Sequence, residues 1–356
     1  MKKNISILVV FLLTLSLTAC GEADLKILIP TEYLAEELVA DFLKMHKIKI
    51  KTVPFVSNEA AITKLKMEKF DLIVPSDYAV EQLVAEDLII PLDWDNITSV
   101  NKETSFPESL IQIIDSYESS EVNIKLLDYM VPYFWGNLGI VYDSTKPGLK
   151  EALENEQWGI FTDASLERVI YDSSRDAFFM ALRQLGYSAN TKNISELTAA
   201  EQYLNQIADT PKVYFLTDEI LDDMQTLRYD VALTYNGDAV YLMERQPKVG
   251  YYVPTNGTNV FVDGLSIPKN SRNIDLAYKF INFVLEYDNA VINTIDVTYV
   301  SAIKEVYEHM LNDTDSHFYK LRDVYRVEMR ENDEIFHFVP EAKRFMDDAW
   351  TRIRTR

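Results

Sequence analysis

Little in this chain points to catalysis. There is no Gly-rich phosphate loop and no G-x-S-x-G elbow. The four histidines, His46, His309, His317 and His337, are scattered, and none has a neighbour at metal-ligand spacing. Cys20 is the only cysteine, so no intrachain disulfide is available. A secreted domain can go without one when it is large enough to bury a real core. Positive charge is in deficit: 35 Lys and Arg stand against 56 Asp and Glu, a formal net charge of −21. An acidic chain repels nucleic acid and favours cationic partners by long-range steering, although the same charge also serves plain solubility. Beyond the first twenty residues no second long apolar run occurs, so no membrane-spanning helix is expected after the N-terminus.

What is present begins with that N-terminus. Lys2 and Lys3 precede a mostly apolar run from Ile5 to Leu17, the length of a signal-peptide core and too short to span a bilayer. The run ends in Leu17-Thr18-Ala19-Cys20, which is similar to a bacterial lipobox. Residues 1–19 are therefore expected to be removed as a signal peptide, Cys20 to carry lipid, and residues 20–24 to act as a tether. The mature chain would keep 356 − 19 = 337 residues and, with Lys2 and Lys3 gone, a charge of −21 − 2 = −23. That length suggests two domains.

Hydrophobic periodicity gives the organisation. Leu25–Ile29 reads as a buried strand. Leu34, Leu38, Phe42 and Met45 then share one helical face. Ile48 to Phe55 reads as a second strand. Ser57-Asn58-Glu59 starts a helix carrying Ile62 and Leu65, Phe70 to Val74 is a third strand stopped by Pro75, and Ala79 to Glu86 is a helix. This alternation predicts a parallel sheet with helices on its faces. Pro91 to Leu126 reads as loop-rich. Strands follow at 131–143, 169–171, 229–235, 248–253 and 260–267, with helices at 172–185, 197–207 and 276–286 and two or three more at the C-terminus. No Gly/Ser-rich linker divides the chain, which suggests that it crosses between its domains more than once. Asp218, Glu219, Asp222 and Asp223 lie at helical spacing and read as a solvated face, with cation binding the alternative.

Several segments carry a common signature. Thr31-Glu32-Tyr33, Ser57-Asn58-Glu59, Asp71 to Tyr78, Val131 to Gly136, Met180 to Ser188, Tyr235-Asn236-Gly237 and Val262 to Pro268 occur in this order. Together they resemble the spermidine/putrescine-binding proteins of bacterial polyamine importers, over about Leu25 to Val300. The resemblance implies a two-lobed α/β periplasmic-binding-protein fold, each lobe a mixed sheet flanked by helices, with the ligand in the cleft between them. The lobes are expected at 25–131 with 264–303 and at 132–263 with 304–356. It also implies a monomer without cofactor or metal that captures a polyamine and hands it to ABC permease subunits. The alternatives are the same fold holding another organic cation or amino compound, or an enzyme or adhesin on a lipoprotein anchor.

A polyamine is an apolar chain with amines protonated near neutral pH, so its site needs carboxylates and aromatic faces. By motif match, Thr31, Glu32, Tyr33, Ser76 and Tyr78 line the first lobe. Asp176 binds an amine from the second, Tyr235 and Phe261 are walls, and Asp263 pairs with an amine inside the site. Asp263 stands out even without the resemblance, because an acid in the apolar strand Val260 to Ile267 demands a partner. Trp135 is expected to pack beneath the cleft. The chain departs from the family at Pro30, where an aromatic is usual. It departs again at Ser173 in place of an acid, and at Tyr235 and Phe261 in place of tryptophans. These changes imply a shorter ligand or weaker binding, with Asp77 and Asp238 as substitutes for the lost acid.

Overall fold

A computed structural model describes residues 23–117 and 122–355. The signal-peptide and lipidation sites at 1–19 and Cys20 lie outside the described residues. Strand β1 (Leu25–Pro30) is flanked by β2 (Ile50–Phe55) and β3 (Leu72–Ile73), both parallel to it. Each strand feeds a helix, Glu36–His46, Asn58–Met67 and Asp77–Ala85 in turn. The predicted alternation is therefore present, with the three strands in spatial order 2-1-3. Helix Glu36–His46 buries Leu38 and Phe42, and Phe42 meets Phe280 and Phe283. Met45 lies on the same stripe but is 62% exposed, because this helix's core contacts end at Phe42 and His46. Thr31 and Glu32 lie outside this helix. They form a turn before it, with Glu32 in the left-handed region at φ 54°.

The second sheet is built on β4 (Val131–Asp143), with β5 (Arg168–Tyr171), β6 (Val213–Leu216), β7 (Val231–Tyr235), β8 (Val249–Tyr252), β9 (Val260–Leu265) and β10 (Val300–Ser301). Every residue of β4 but the last is buried. A strand covered on both faces reads as a continuous apolar run rather than an alternation, which is why the sequence delimits it so well. Its first half pairs antiparallel with β9, from Val131–Leu265 to Asn137–Val260. Its second half pairs with β7 and β8. β5 lies between β7 and β6 and runs parallel to both. β9 also reaches the first sheet through bridges Ile73–Ser266 and Ser76–Asp263. β9 and the residue after it thus join one sheet to the other, so the chain needs no linker.

The stretch Pro91 to Leu126 is not all loop. Helix Glu108–Ser116 buries Leu110, Ile113 and Ile114. At the C-terminus, helix Pro340–Arg354 packs on helices Ser174–Gln184 and Ile194–Ala208 of the second sheet's flank. Among the described residues no helix is long and apolar enough to cross a membrane.

Two glycines permit close approaches at the junction. A Cβ on Gly136 would lie 2.3 Å from Asn236 Oδ1 and 2.7 Å from the Phe261 ring. A Cβ on Gly237 would lie 2.3 Å from the Tyr299 ring. Gly237→Ala is therefore expected to destabilise the fold by about 1–3 kcal/mol through overpacking. Urea unfolding of the two proteins measures this, and equal midpoints and slopes would contradict the packing described.

Candidate functional site

A cavity of about 200 Å³ opens where the carboxyl ends of the parallel strands converge, the position at which open α/β sheets hold ligands. The turn after β1 contributes Thr31, Glu32 and Tyr33, and the chain after β3 contributes Ser76 and Tyr78. The end of β5 leads into Ser173 and Asp176, the end of β7 into Tyr235 and Asp238, and β9 itself supplies Phe261 and Asp263. All of these were expected at a ligand site, and one cavity brings them together.

Asp77 is the exception and corrects the sequence reading. It is 1% exposed and does not line the cavity. Its Oδ1 accepts the Tyr78 N–H at 2.7 Å and its Oδ2 accepts the Val262 N–H at 2.9 Å. Burial pushes its carboxyl up to about 7. Asp77 ties helix Asp77–Ala85 to β9 and has no oxygen to offer a ligand.

Three of the lining aspartates, Asp176, Asp238 and Asp263, share a different arrangement. Tyr33 donates its hydroxyl to Asp263 Oδ2 at 2.5 Å, while Oδ1 is buried without a hydrogen-bond partner. Tyr235 donates to Asp176 Oδ2 at 2.9 Å. Thr234 and Tyr299 donate to the two oxygens of Asp238 at 2.5 and 3.0 Å. Among the described residues no Lys or Arg forms an ion pair with any of the three. Desolvation disfavours an ionised carboxylate, and burial pushes each of them up to about 6, against the pull of the hydroxyls around it. The local sequence explains two of the placements. Ser173 caps helix Ser174–Gln184 by accepting the Asp176 N–H, which sets Asp176 in the first turn. Asp238 holds the same place in helix Asn236–Arg245.

Aromatic rings connect the acids. Tyr171, Tyr235, Phe261, Tyr299 and Tyr33 form an edge-to-face chain with successive centroids 5.6, 5.2, 6.3 and 5.0 Å apart. Such rings cover methylenes and attract ammonium through their faces. Trp135 lies beneath, fully buried, and donates its indole N–H to Ser301 O at 3.2 Å. Ser76 is held by Asn58, which both donates to its hydroxyl and accepts its N–H.

Several lining residues escaped the sequence reading. Asp218 is solvent-exposed, as its place in the acidic run suggested, and it also lines the cavity, where partial burial and the charges of Glu32 and Glu219 raise its carboxyl. The rest of that acidic run is surface: Asp223 pairs with Arg228, and Glu219 accepts from Thr217. Among the described residues no group of acids and histidines is placed to hold a metal ion. Tyr171, Tyr299, Glu59, Arg175 and Phe336 also line the cavity. Glu59 and Arg175 sat inside helix starts and carried only the signal of a capped first turn.

Residues 37–318 match the family of bacterial extracellular solute-binding proteins. The chain belongs to that family. It is 31% identical over 265 residues to a spermidine/putrescine-binding periplasmic protein of Salmonella typhimurium, covering 73% of this chain and 72% of the relative. A solved Listeria monocytogenes structure, described as a candidate spermidine/putrescine ABC transporter, is 28% identical with TM-score 0.79, covering 93% of this chain and 98% of that one. The substrate-binding protein PotD of Streptococcus pneumoniae, from a spermidine/putrescine ABC transporter, is 26% identical with TM-score 0.70 over the same shares. This solute-binding protein therefore has two lobes, and the acid-lined cavity is the cleft between them.

The raised carboxyls predict how the unliganded protein responds to pH. Each aspartate has an ordinary value of about 3.9 when unfolded and about 6 when folded. Between these values the folded state binds more protons. Their contribution to stability is therefore greatest below the unfolded value, and it is lost as pH rises to the folded one. Thermal unfolding should show the unliganded protein gaining stability from about pH 7 to about pH 5, with a weaker gain in Asp263→Asn. Equal slopes in the two proteins would contradict the buried, unpaired state of Asp263.

Proposed function

We propose that this solute-binding protein captures polyamines at the outer face of the cytoplasmic membrane and delivers them to an ABC importer. The reading is carried by one observation: Asp176 and Asp263, buried, and Asp238, half-buried, line an aromatic cleft, where tyrosine hydroxyls donate to them and, among the described residues, no Lys or Arg forms an ion pair with them. Protonated amines supply the missing charge, and the methylenes between them lie against Tyr235, Phe261 and Tyr299. Asp263, with Oδ1 unpartnered, takes one ammonium. Thr31, Glu32, Tyr33, Ser76 and Tyr78 complete the first lobe's side, with Ser173 at the edge of the second. Lobes of residues 25–131 with 264–303 and 132–263 with 304–356 close on the ligand, bending along β4 and β9, and the closed form is what permease subunits engage. Lys2, Lys3 and the lipobox-like Leu17-Thr18-Ala19-Cys20 support a lipid tether. The role is binding rather than turnover, by a monomer without cofactor.

A second reading, an amino compound that also bears an acid, has one observation in its favour. Arg175 lines the same cavity with its buried Nε unpartnered, and a ligand carboxylate would satisfy it.

Thermal unfolding of mature protein carrying Cys20→Ser separates the readings. Spermidine, putrescine, spermine, cadaverine and amino-acid controls are compared at matched concentrations. Ligand at about 100 times its Kd stabilises the native state by roughly 2.7 kcal/mol. A selective rise with one or two polyamines is expected, and a rise only with acid-bearing amines would shift the reading to the second. Calorimetric titration of Asp263→Asn should show binding weakened about 10- to 100-fold, the range for a lost charge-assisted hydrogen bond. Affinity equal to the wild type would remove Asp263 from the site.

A further inference from the structure

The cleft that collects the acids also holds one cation, Arg175, which is 7% exposed. Its guanidinium lies 3.7 Å from the centre of the Tyr78 ring and 4.9 Å from that of Phe336. It also stands 3.8 Å from Glu59 Oε1. Lys343 of the C-terminal helix meets the same Glu59 oxygen at 3.8 Å. Lys343 is braced in turn by Asp347 at 2.6 Å, and Asp347 accepts the Ser174 hydroxyl at 2.6 Å. Both cations are therefore fixed to one rigid pair of helices.

The two sides of these contacts belong to different lobes. Glu59 lies in helix Asn58–Met67, packed on β2, and Tyr78 in helix Asp77–Ala85, packed against helix Asn58–Met67. Arg175 lies in helix Ser174–Gln184, packed on β5, and Lys343 in the helix that covers it. The Arg175–Glu59, Arg175–Tyr78 and Lys343–Glu59 contacts each join the two sides of the cleft. Contacts present in one of two states shift the equilibrium toward that state. A guanidinium sheltered between aromatic faces keeps a worthwhile cation–π attraction because it is largely out of water.

We propose that Glu59 and Tyr78 of one lobe grip Arg175 and Lys343 of the other as a clasp on the closed cleft, making Arg175 a positioning residue that sets how long a bound ligand stays. The clasp goes beyond the polyamine reading, since it acts on closure whichever solute fills the cavity. It forms after the ligand has entered, so it acts on dissociation and leaves association almost untouched. It also fixes a sign. If Arg175 acted only through its charge, removing it would strengthen the hold on a cationic ligand. A clasp predicts that the hold weakens.

The test uses mature protein with Cys20→Ser and stopped-flow kinetics with spermidine and putrescine. Arg175→Met should dissociate roughly ten times faster with association changed less than about twofold. Glu59→Gln should show a smaller effect in the same direction, Arg175→Lys should recover part of the loss, and the Arg175→Met/Glu59→Gln pair should fall short of additive. The unliganded melting temperature should stay within about 2 °C of the wild type. Unchanged or slower dissociation would overturn the clasp, as would an unliganded melting temperature falling in step with affinity. Should the wild type bind neither polyamine, the polyamine reading fails and the clasp is read without ligand. Spin labels at the exposed positions Met67 and Ile194 report the distance between lobes. Loss of the short-distance population in Glu59→Gln supports the clasp. A distribution unchanged by that substitution, including one with no closed population, overturns it.

Discussion

Three aspartates, Asp176 and Asp263 buried and Asp238 half-buried, sit beside tyrosine hydroxyls with no Lys or Arg ion-paired to them among the described residues, and they set the terms for the rest of this structure. Ionised and empty, they are costly, because a charge taken from water is stabilised only by partners. The phenols of Tyr33, Tyr235 and Tyr299 stabilise the acids partly, as neutral donors, and leave the charge uncompensated. Raised carboxyls are the result. The site therefore has two ways to lower its energy: to take up protons, or to take up a positively charged solute. At neutral pH the first is only partly available, and the second is what a binding protein exploits. The surrounding excess of acids, −21 over the whole chain, draws cations toward the cleft from a distance.

The architecture follows from the need to bring such groups together from remote parts of the chain. Strand ends are the economical place, since each parallel strand releases its chain at the same edge of the sheet. β9, paired with β4, then joins the two edges through the bridges Ile73–Ser266 and Ser76–Asp263. Asp263 thereby sits bridged to Ser76 beside the first sheet, while Tyr235 and Asp238, at the end of β7, lie in the second sheet on the same cleft. Asp238 and Tyr299 meet across the same junction, over Gly237, which leaves room for the ring. Closure and charge compensation are thus one event. A multivalent cation touching acids on both walls favours the shut form by its differential contacts alone.

Much of this was legible in the sequence, and the parts that were not share a cause. The 13 residues of β4 were delimited correctly because a doubly buried strand reads as a mostly apolar run, here interrupted only at Gly136, Asn137 and Gly139 before the closing Asp143. Asp263 was legible because an acid in such a strand has no structural excuse. Every lining residue named from the motifs lies in one cavity. Tyr299, Arg175 and Asp218 were not found because their importance comes from partners far along the chain, Asp238, Glu59 and Glu32, and no local pattern marks such a pairing. Asp77 misled for the opposite reason. Next to Ser76 and Tyr78 it looks like a ligand residue, yet both its oxygens are committed to backbone N–H groups, one of them 185 residues away. Helix Glu108–Ser116 was missed in a stretch read as loop-rich between Pro91 and Leu126, although Leu110, Ile113 and Ile114 carry a helical stripe.

The account turns on whether the cleft aspartates are buried, uncompensated acids awaiting a cation. Side-chain carboxyl NMR of 13C-aspartate-labelled protein reads this directly, by titration with and without saturating spermidine. The account predicts cleft resonances, assigned by Asp176→Asn, Asp238→Asn and Asp263→Asn, that titrate near 6 in the unliganded protein and well below the ordinary carboxylate value once the amine is bound. Resonances that titrate at the ordinary value in both states, or that ignore the amine, would contradict it.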